Sequence, residues 1–136
     1  MNDLEKLKML RNRRMEQQFI ELQTQRQILD GWHNQIFSKQ QQITEFKQWR
    51  IDYQDKLFHS LQDQPFNVQT MKSYHEKLNE LEQEETRLHT ELDSIRQGMR
   101  QAETVVEQAR KKSSETILQL EKVKEIIQQT AHKPLV

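Results

Sequence analysis

Through the second half of the chain, apolar residues recur at alternating steps of three and four. The series runs Met71, Tyr74, Leu78, Leu81, Glu85, Leu88, Leu92, Ile95, Met99, Ala102, Val106, Ala109, Ser113, Thr116, Leu120, Val123 and Ile127. Only Glu85, Ser113 and Thr116 interrupt it. Such steps average 3.5 residues, the period at which a helix keeps one stripe turned toward a partner as the pair supercoils left-handedly. The first half carries a noisier version. One seven-residue series is Met15, Leu22, Leu29, Ile36, Ile43, Arg50 and Leu57, and its companion is Gln18, Gln25, Trp32, Lys39, Phe46, Tyr53 and Ser60. Polar residues on a seam cost stability and often fix register or partner choice.

Between the two patterns lies HSLQDQPFNVQTM. Pro65 disfavours helix at Gln64, because its ring crowds the preceding residue out of the helical region. Asn67 suits an N-cap, since its side-chain oxygen can accept from the exposed N–H groups of the next turn. The pattern therefore predicts one helix over about 3–62, a turn at about 63–67 and a second helix over about 67–131. Each would span about 90 Å at 1.5 Å per residue. A short loop makes sequential helices pack antiparallel. The expected fold is all-α: residues 1–136 as a single antiparallel coiled-coil hairpin, with both termini at one end and the turn at the other.

That arrangement predicts partners. With the turn centred near Pro65, facing residues have numbers summing to about 130. Arg50 then lies level with Glu80 and within reach of Glu82 or Glu84, and Lys39 lies level with Glu91. Gly31 and Gly98 fall at one level, and neither is on the seam. They read either as two tolerated substitutions or as a shared weak point at which the hairpin bends.

Composition narrows the function. With 2 Gly and 2 Pro among 136 residues, the chain has few turns and few, long elements. Lys and Arg balance Asp and Glu at a net charge of +0, which argues against a general nucleic-acid binder. With 0 Cys there are no disulfides, thiolate nucleophiles or zinc-thiolate sites, as suits a reducing cytoplasm. No apolar run reaches the roughly 18 residues of a membrane span. The start, MNDLEKLKMLRNRR, lacks the apolar region of a signal peptide. The five histidines, His33, His59, His75, His89 and His132, are scattered, and Asp30-x-x-His33 is the one ligand-like spacing. A Gly-rich phosphate loop, HExxH and a nucleophile elbow are all lacking. A two-helix hairpin has no water-excluding pocket for catalysis. The expectation is a non-enzyme without catalytic, cofactor-binding or metal-binding residues and with no cofactor.

Three surface features remain. Lys6, Lys8, Arg11, Arg13 and Arg14 outnumber Asp3 and Glu5 at the N-terminus, with Leu4, Leu7 and Leu10 beside them. The bland reading is a solvated face, and the functional one an acidic protein partner. A basic-zipper reading fails because the rest of the chain pairs with itself. From Glu76 to Asp93, seven carboxylates face only Lys77 and Arg87. This reads as a solvated face that partly pairs with Arg50 and Lys39. The third feature is WRIDYQDKLF, residues 49–58. With Met15 at heptad position a, Phe37, Ile51 and Phe58 occupy b, Leu61 the neighbouring e, and Trp49 the opposite flank at g. They form an apolar stripe beside the seam, near Phe66. Either they widen the intramolecular contact near the turn, or they dock a partner.

KMLRNRR near the start, WRIDYQDKLF before the turn, FN at the entry to the second helix and the long heptad after it resemble the YscO proteins of bacterial type III secretion. These are the injectisome counterparts of the flagellar protein FliJ. The likeness spans nearly the whole chain in order and spacing. It implies a central stalk of the export apparatus, a hairpin similar to the γ subunit of F-type ATPases. It further implies a hexameric secretion ATPase, the cytoplasmic ring of the export gate and secretion chaperones as partners. The expected location is cytoplasmic, at the base of the apparatus, with some members themselves exported. On this likeness the expected ATPase-binding residues are Lys6, Lys8, Arg11, Arg13 and Arg14. Those expected to meet the gate or a chaperone are Trp49, Arg50, Ile51, Phe58 and Phe66. The chain alone would be monomeric, with no nucleic acid and no membrane insertion. The competing expectation is a coiled-coil scaffold or tether without an ATPase link, using the second-helix seam between chains.

Overall fold

A computed structural model of the chain describes residues 2–63, 65 and 67–131. It contains two helices, α1 (Asp3–Gln62) and α2 (Val68–Ala131), packed against each other as an all-α hairpin. Both N-termini are capped by asparagine. Asn2 Oδ1 accepts from the Glu5 N–H at 2.8 Å, with Asp3 and Glu5 favourably placed in the first turn against the helix dipole. Asn67 Oδ1 accepts from both the N–H and the hydroxyl of Thr70, each at 2.8 Å, as its position after Pro65 predicts. Neither helix contains proline, and every described residue other than glycine keeps negative φ, so nothing local interrupts either helix.

Packing divides the chain into two compact units, Met1–Gly31 with Met99–Val136, and Trp32–Gly98. The first has a mixed seam. Leu22, Ala102, Leu120 and Val123 are buried, but so are Ser113 and Thr116. Half-buried Arg11, Gln18 and Gln25 follow one another at heptad spacing on α1. Gln18 Oε1 is buried without a hydrogen-bond partner, and an unpaired buried acceptor carries its full desolvation cost. Arg11 avoids this by donating from Nη1 to the carbonyl oxygen of Gln119 on α2, at 2.9 Å.

The second unit has a more apolar centre, in which Ile43, Leu88 and Leu92 are buried and Ile36 and Phe46 pack against them. Two seam cations close its polar layers. Lys39 Nζ meets Glu91 Oε2 at 2.6 Å, the pair expected from the turn position. Arg50 instead departs from expectation. Its partner is Glu85, not Glu80, Glu82 or Glu84. Arg50 and Glu85 both belong to the seam series of their helices, whereas Glu80, Glu82 and Glu84 lie off it, so heptad phase decides the pairing. Both are seam positions, which leaves both side chains only about a quarter exposed.

The two glycines have different surroundings. A Cβ added to Gly31 would meet nothing within 4 Å. A Cβ on Gly98 would lie 2.6 Å from Cζ3 and 2.8 Å from Cζ2 of Trp32, and closer still to Cη2. The Trp32 indole thus occupies the place of the missing side chain. Gly98 is a socket for a seam tryptophan.

Candidate functional site

The described residues offer open grooves. One, beside the turn, is lined by Leu57, Leu61, Thr70, Tyr74 and Lys77. Among the described residues no group of three or more His, Cys, Asp or Glu side chains could hold a metal ion. No described helix is long and apolar enough to cross a membrane. What the protein presents is surface, and the two units present different kinds.

In the unit holding residues 32–98, the off-seam apolar residues are exposed. Phe37 and Ile51 are each 61% exposed and Phe58 52%. Heptad spacing puts Phe37, Thr44, Ile51 and Phe58 in one line along α1, with half-buried Leu61 beside the last. Trp49 leaves the line. Its ring stacks on Tyr53 at 5.0 Å between centroids and lies 5.7 Å from Phe46, while still half exposed. Trp49 is thus stacked on neighbours of its own helix. Arg50 is turned inward onto Glu85. Phe66 lies outside the described residues. Of the residues expected at this site, Ile51 and Phe58 share one exposed face, whereas Trp49 and Arg50 are engaged within the unit.

In the other unit, Lys6, Lys8, Arg13 and Arg14 are exposed. Arg11 is the exception, held on the seam by the Gln119 carbonyl. Leu7 and Leu10 are exposed beside the cations, and Leu4 is half-buried. The sequence reading overlooked Phe19, Ile20, Ile117 and Leu118, all exposed in this unit. A signal for them existed. They are large apolar residues at heptad positions e and f, visible once the seam residues are set aside.

The acidic stretch of α2 is partly neutralised. Arg87 bridges Glu84 and Glu91, three residues before it and four after. Glu91 also accepts from Lys39. The Lys39 hydrogen bond is the main reason that the Glu91 carboxyl sits below the usual carboxylate range. Desolvation opposes it, and the Arg87 charge adds to it. The Arg87 hydrogen bond likewise lowers Glu84. A carboxyl whose pKa is depressed in the folded state adds stability above its unfolded pKa and loses it as pH falls through the folded value. Glu91→Gln is therefore expected to lower the melting temperature at neutral pH. The gap from wild type should close as pH falls from about 5 to about 3, because protonated Glu91 resembles glutamine. A gap that persists at the acid end would mean that charge is not what Glu91 contributes.

A family model described as type III secretion protein YscO matches residues 1–134 of the 136-residue chain. No curated protein and no solved structure matches it.

Proposed function

Given that the chain belongs to the YscO family of type III secretion proteins, we propose that it is a central stalk of the export apparatus, coupling the hexameric secretion ATPase to the export gate and binding secretion chaperones. The observation that carries this reading is the family match along nearly the whole chain, over a two-helix fold with surface to offer. The proposed role is mechanical, and the hairpin does no chemistry. Exposed Lys6, Lys8, Arg13 and Arg14 meet carboxylates of the ATPase, with Leu7 and Leu10 as the apolar part of that contact. Arg11 supports them by fixing α1 to the Gln119 carbonyl. Ile51 and Phe58, together with Phe66, meet the gate ring or a chaperone. Arg50 holds that stretch of α1 against Glu85. The proposed location is the cytoplasmic base of the apparatus.

The test is ATP hydrolysis by the cognate secretion ATPase titrated with this protein. Wild type is expected to stimulate it at sub-stoichiometric ratio. Arg13→Glu with Arg14→Glu should abolish most of the stimulation while leaving helicity and melting temperature unchanged, because neither guanidinium makes an ion pair or a hydrogen bond among the described residues. Absence of both stimulation and co-migration would sink the stalk reading and favour a tether without an ATPase link.

A further inference from the structure

The exposed face of α1 repeats the logic of its buried one. Positions 37, 40, 44, 47, 51, 54, 58 and 61 again alternate steps of three and four, and the residues are Phe, Gln, Thr, Lys, Ile, Gln, Phe and Leu. Each lies one residue after a position of the packed seam. This second stripe is therefore rotated about 100° around the helix from the first, and runs for about 36 Å along it. Scattered exposed apolar residues carry no message, but a heptad-spaced line of Phe37, Ile51, Phe58 and Leu61 has the form of a second helix-packing surface.

Its border on α1 carries carboxylates, while Lys77 of α2 lines the groove beside Leu61. Glu45, Asp52 and Asp55 flank the line on α1, and none of them makes an ion pair among the described residues. Asp55 lies four residues after Ile51 and three before Phe58, so it stands beside both. On the α2 side, Lys47 Nζ and His89 Nε2 both approach Glu85 Oε1, at 4.0 and 3.9 Å. The e positions of the two helices thus share a flank, which is where Glu82, another carboxylate without an ion pair, also belongs. Lys47, the one cation within the stripe, is drawn toward Glu85.

We propose that this face docks an amphipathic helix of a partner protein. The partner's apolar side would lie on Phe37, Ile51, Phe58 and Leu61, and its Lys or Arg borders would answer Glu45, Asp52, Asp55 and Glu82. The docked helix makes a local three-helix bundle. A second copy of this chain is the weaker occupant, because the α1 stripe it would bring carries Lys47 alone, already engaged, against the same carboxylates. The inference deepens the reading of Ile51 and Phe58 as a docking surface and is independent of the ATPase link.

The probe is a designed 25-residue amphipathic helix with leucine at the core heptad positions, made with lysine borders or with glutamate borders. Binding to the full chain is read by fluorescence anisotropy, and oligomeric state by sedimentation. The lysine-bordered helix is expected to bind roughly tenfold more tightly, from several exposed ion pairs that each contribute little. Ile51→Ser with Phe58→Ser should lose binding without loss of helicity, since both side chains are exposed. Asp52→Lys with Asp55→Lys should reverse the preference. Equal affinity for the two helices, or binding indifferent to Ile51→Ser with Phe58→Ser, would overturn the proposal. So would a wild-type dimer that those serines dissolve, because the occupant would then be a second copy. Failure of this binding alongside intact ATPase stimulation removes the docked helix and leaves the stalk, whereas the reverse pattern removes the stalk alone.

Discussion

Gly98→Ala is expected to destabilise the protein by about 2–3 kcal/mol, whereas Gly31→Ala should stabilise it by up to about 1 kcal/mol. Both glycines are helical, and alanine restricts the unfolded chain more than glycine does, so propensity alone favours both substitutions. The space around them reverses the sign at one position. Nothing lies within 4 Å of a Cβ on Gly31, so its gain is unopposed. At Gly98 the new methyl falls on three carbons of the Trp32 ring. A methyl group on a helix backbone cannot move aside, so the indole must leave a half-buried seam position. In a Trp32→Leu background the obstruction is absent, and Gly98→Ala should become neutral or stabilising. Urea unfolding of the four variants closes the cycle, with an expected coupling of about 2 kcal/mol. Equal effects of the two alanines in wild type would refute the socket.

The same pair shows what the sequence could disclose. Periodicity made the hairpin legible, because a long two-helix seam is a one-dimensional object and its pattern lies along the chain. In α2 Met71 is exposed, but every later seam position from Tyr74 to Ile127 is buried or half-buried, including Glu85, Ser113 and Thr116, which broke the apolar rule. In α1 the noisier series held from Met15 to Leu57, and only Ser60 is exposed. Fine register was less legible. The turn position places Lys39 opposite Glu91, but Arg50 reaches Glu85, which shares the seam with it, and not the off-seam carboxylates that residue counting puts level with it. At Gly98 the counting puts Trp32 level with the glycine, but it does not say that the indole fills the place of the missing side chain.

The surfaces were legible as departures from the seam, and less so as sites. Ile51 and Phe58 stood out because a polar chain has no packing reason to place them at b, and they are exposed. Trp49 and Arg50, adjacent in sequence to Ile51, point into different company, since successive helix residues are about 100° apart. Arg11 was grouped with four other cations by sequence proximity, but its heptad phase puts it on the seam, where it finds a backbone carbonyl. Heptad phase, more than proximity, separates side chains that hold the hairpin from side chains free to meet a partner.

Leu88→Ala is expected to cost about 3 kcal/mol, and to do so locally. Leu88 is 1% exposed, packed with Ile43 and Leu92 and supported by Ile36 and Phe46. Truncating a buried leucine removes its transfer energy and leaves a cavity that neighbours fill only in part, together about 2–5 kcal/mol. The core here is one layer deep between two helices, so water reaches the gap from the flanks, which argues for the lower half of that range. For a domain held by about 5–15 kcal/mol this is a large fraction. Its reach should be short, because a buried side chain in such a hairpin contacts only neighbours about a heptad away, much as a repeat contacts only adjacent repeats. Hydrogen exchange is expected to accelerate at amides around Ile36 to Phe46 and Glu85 to Leu92. Amides around Leu120 and Val123 should keep their protection, since those residues belong to a separately packed unit with its own buried core. Uniform loss of protection in both units would show that they fold as one cooperative block. Confined loss would show that the surface carrying Ile51 and Phe58 can loosen while the one carrying Arg13 and Arg14 stays folded, so that each can be altered and tested without disturbing the other.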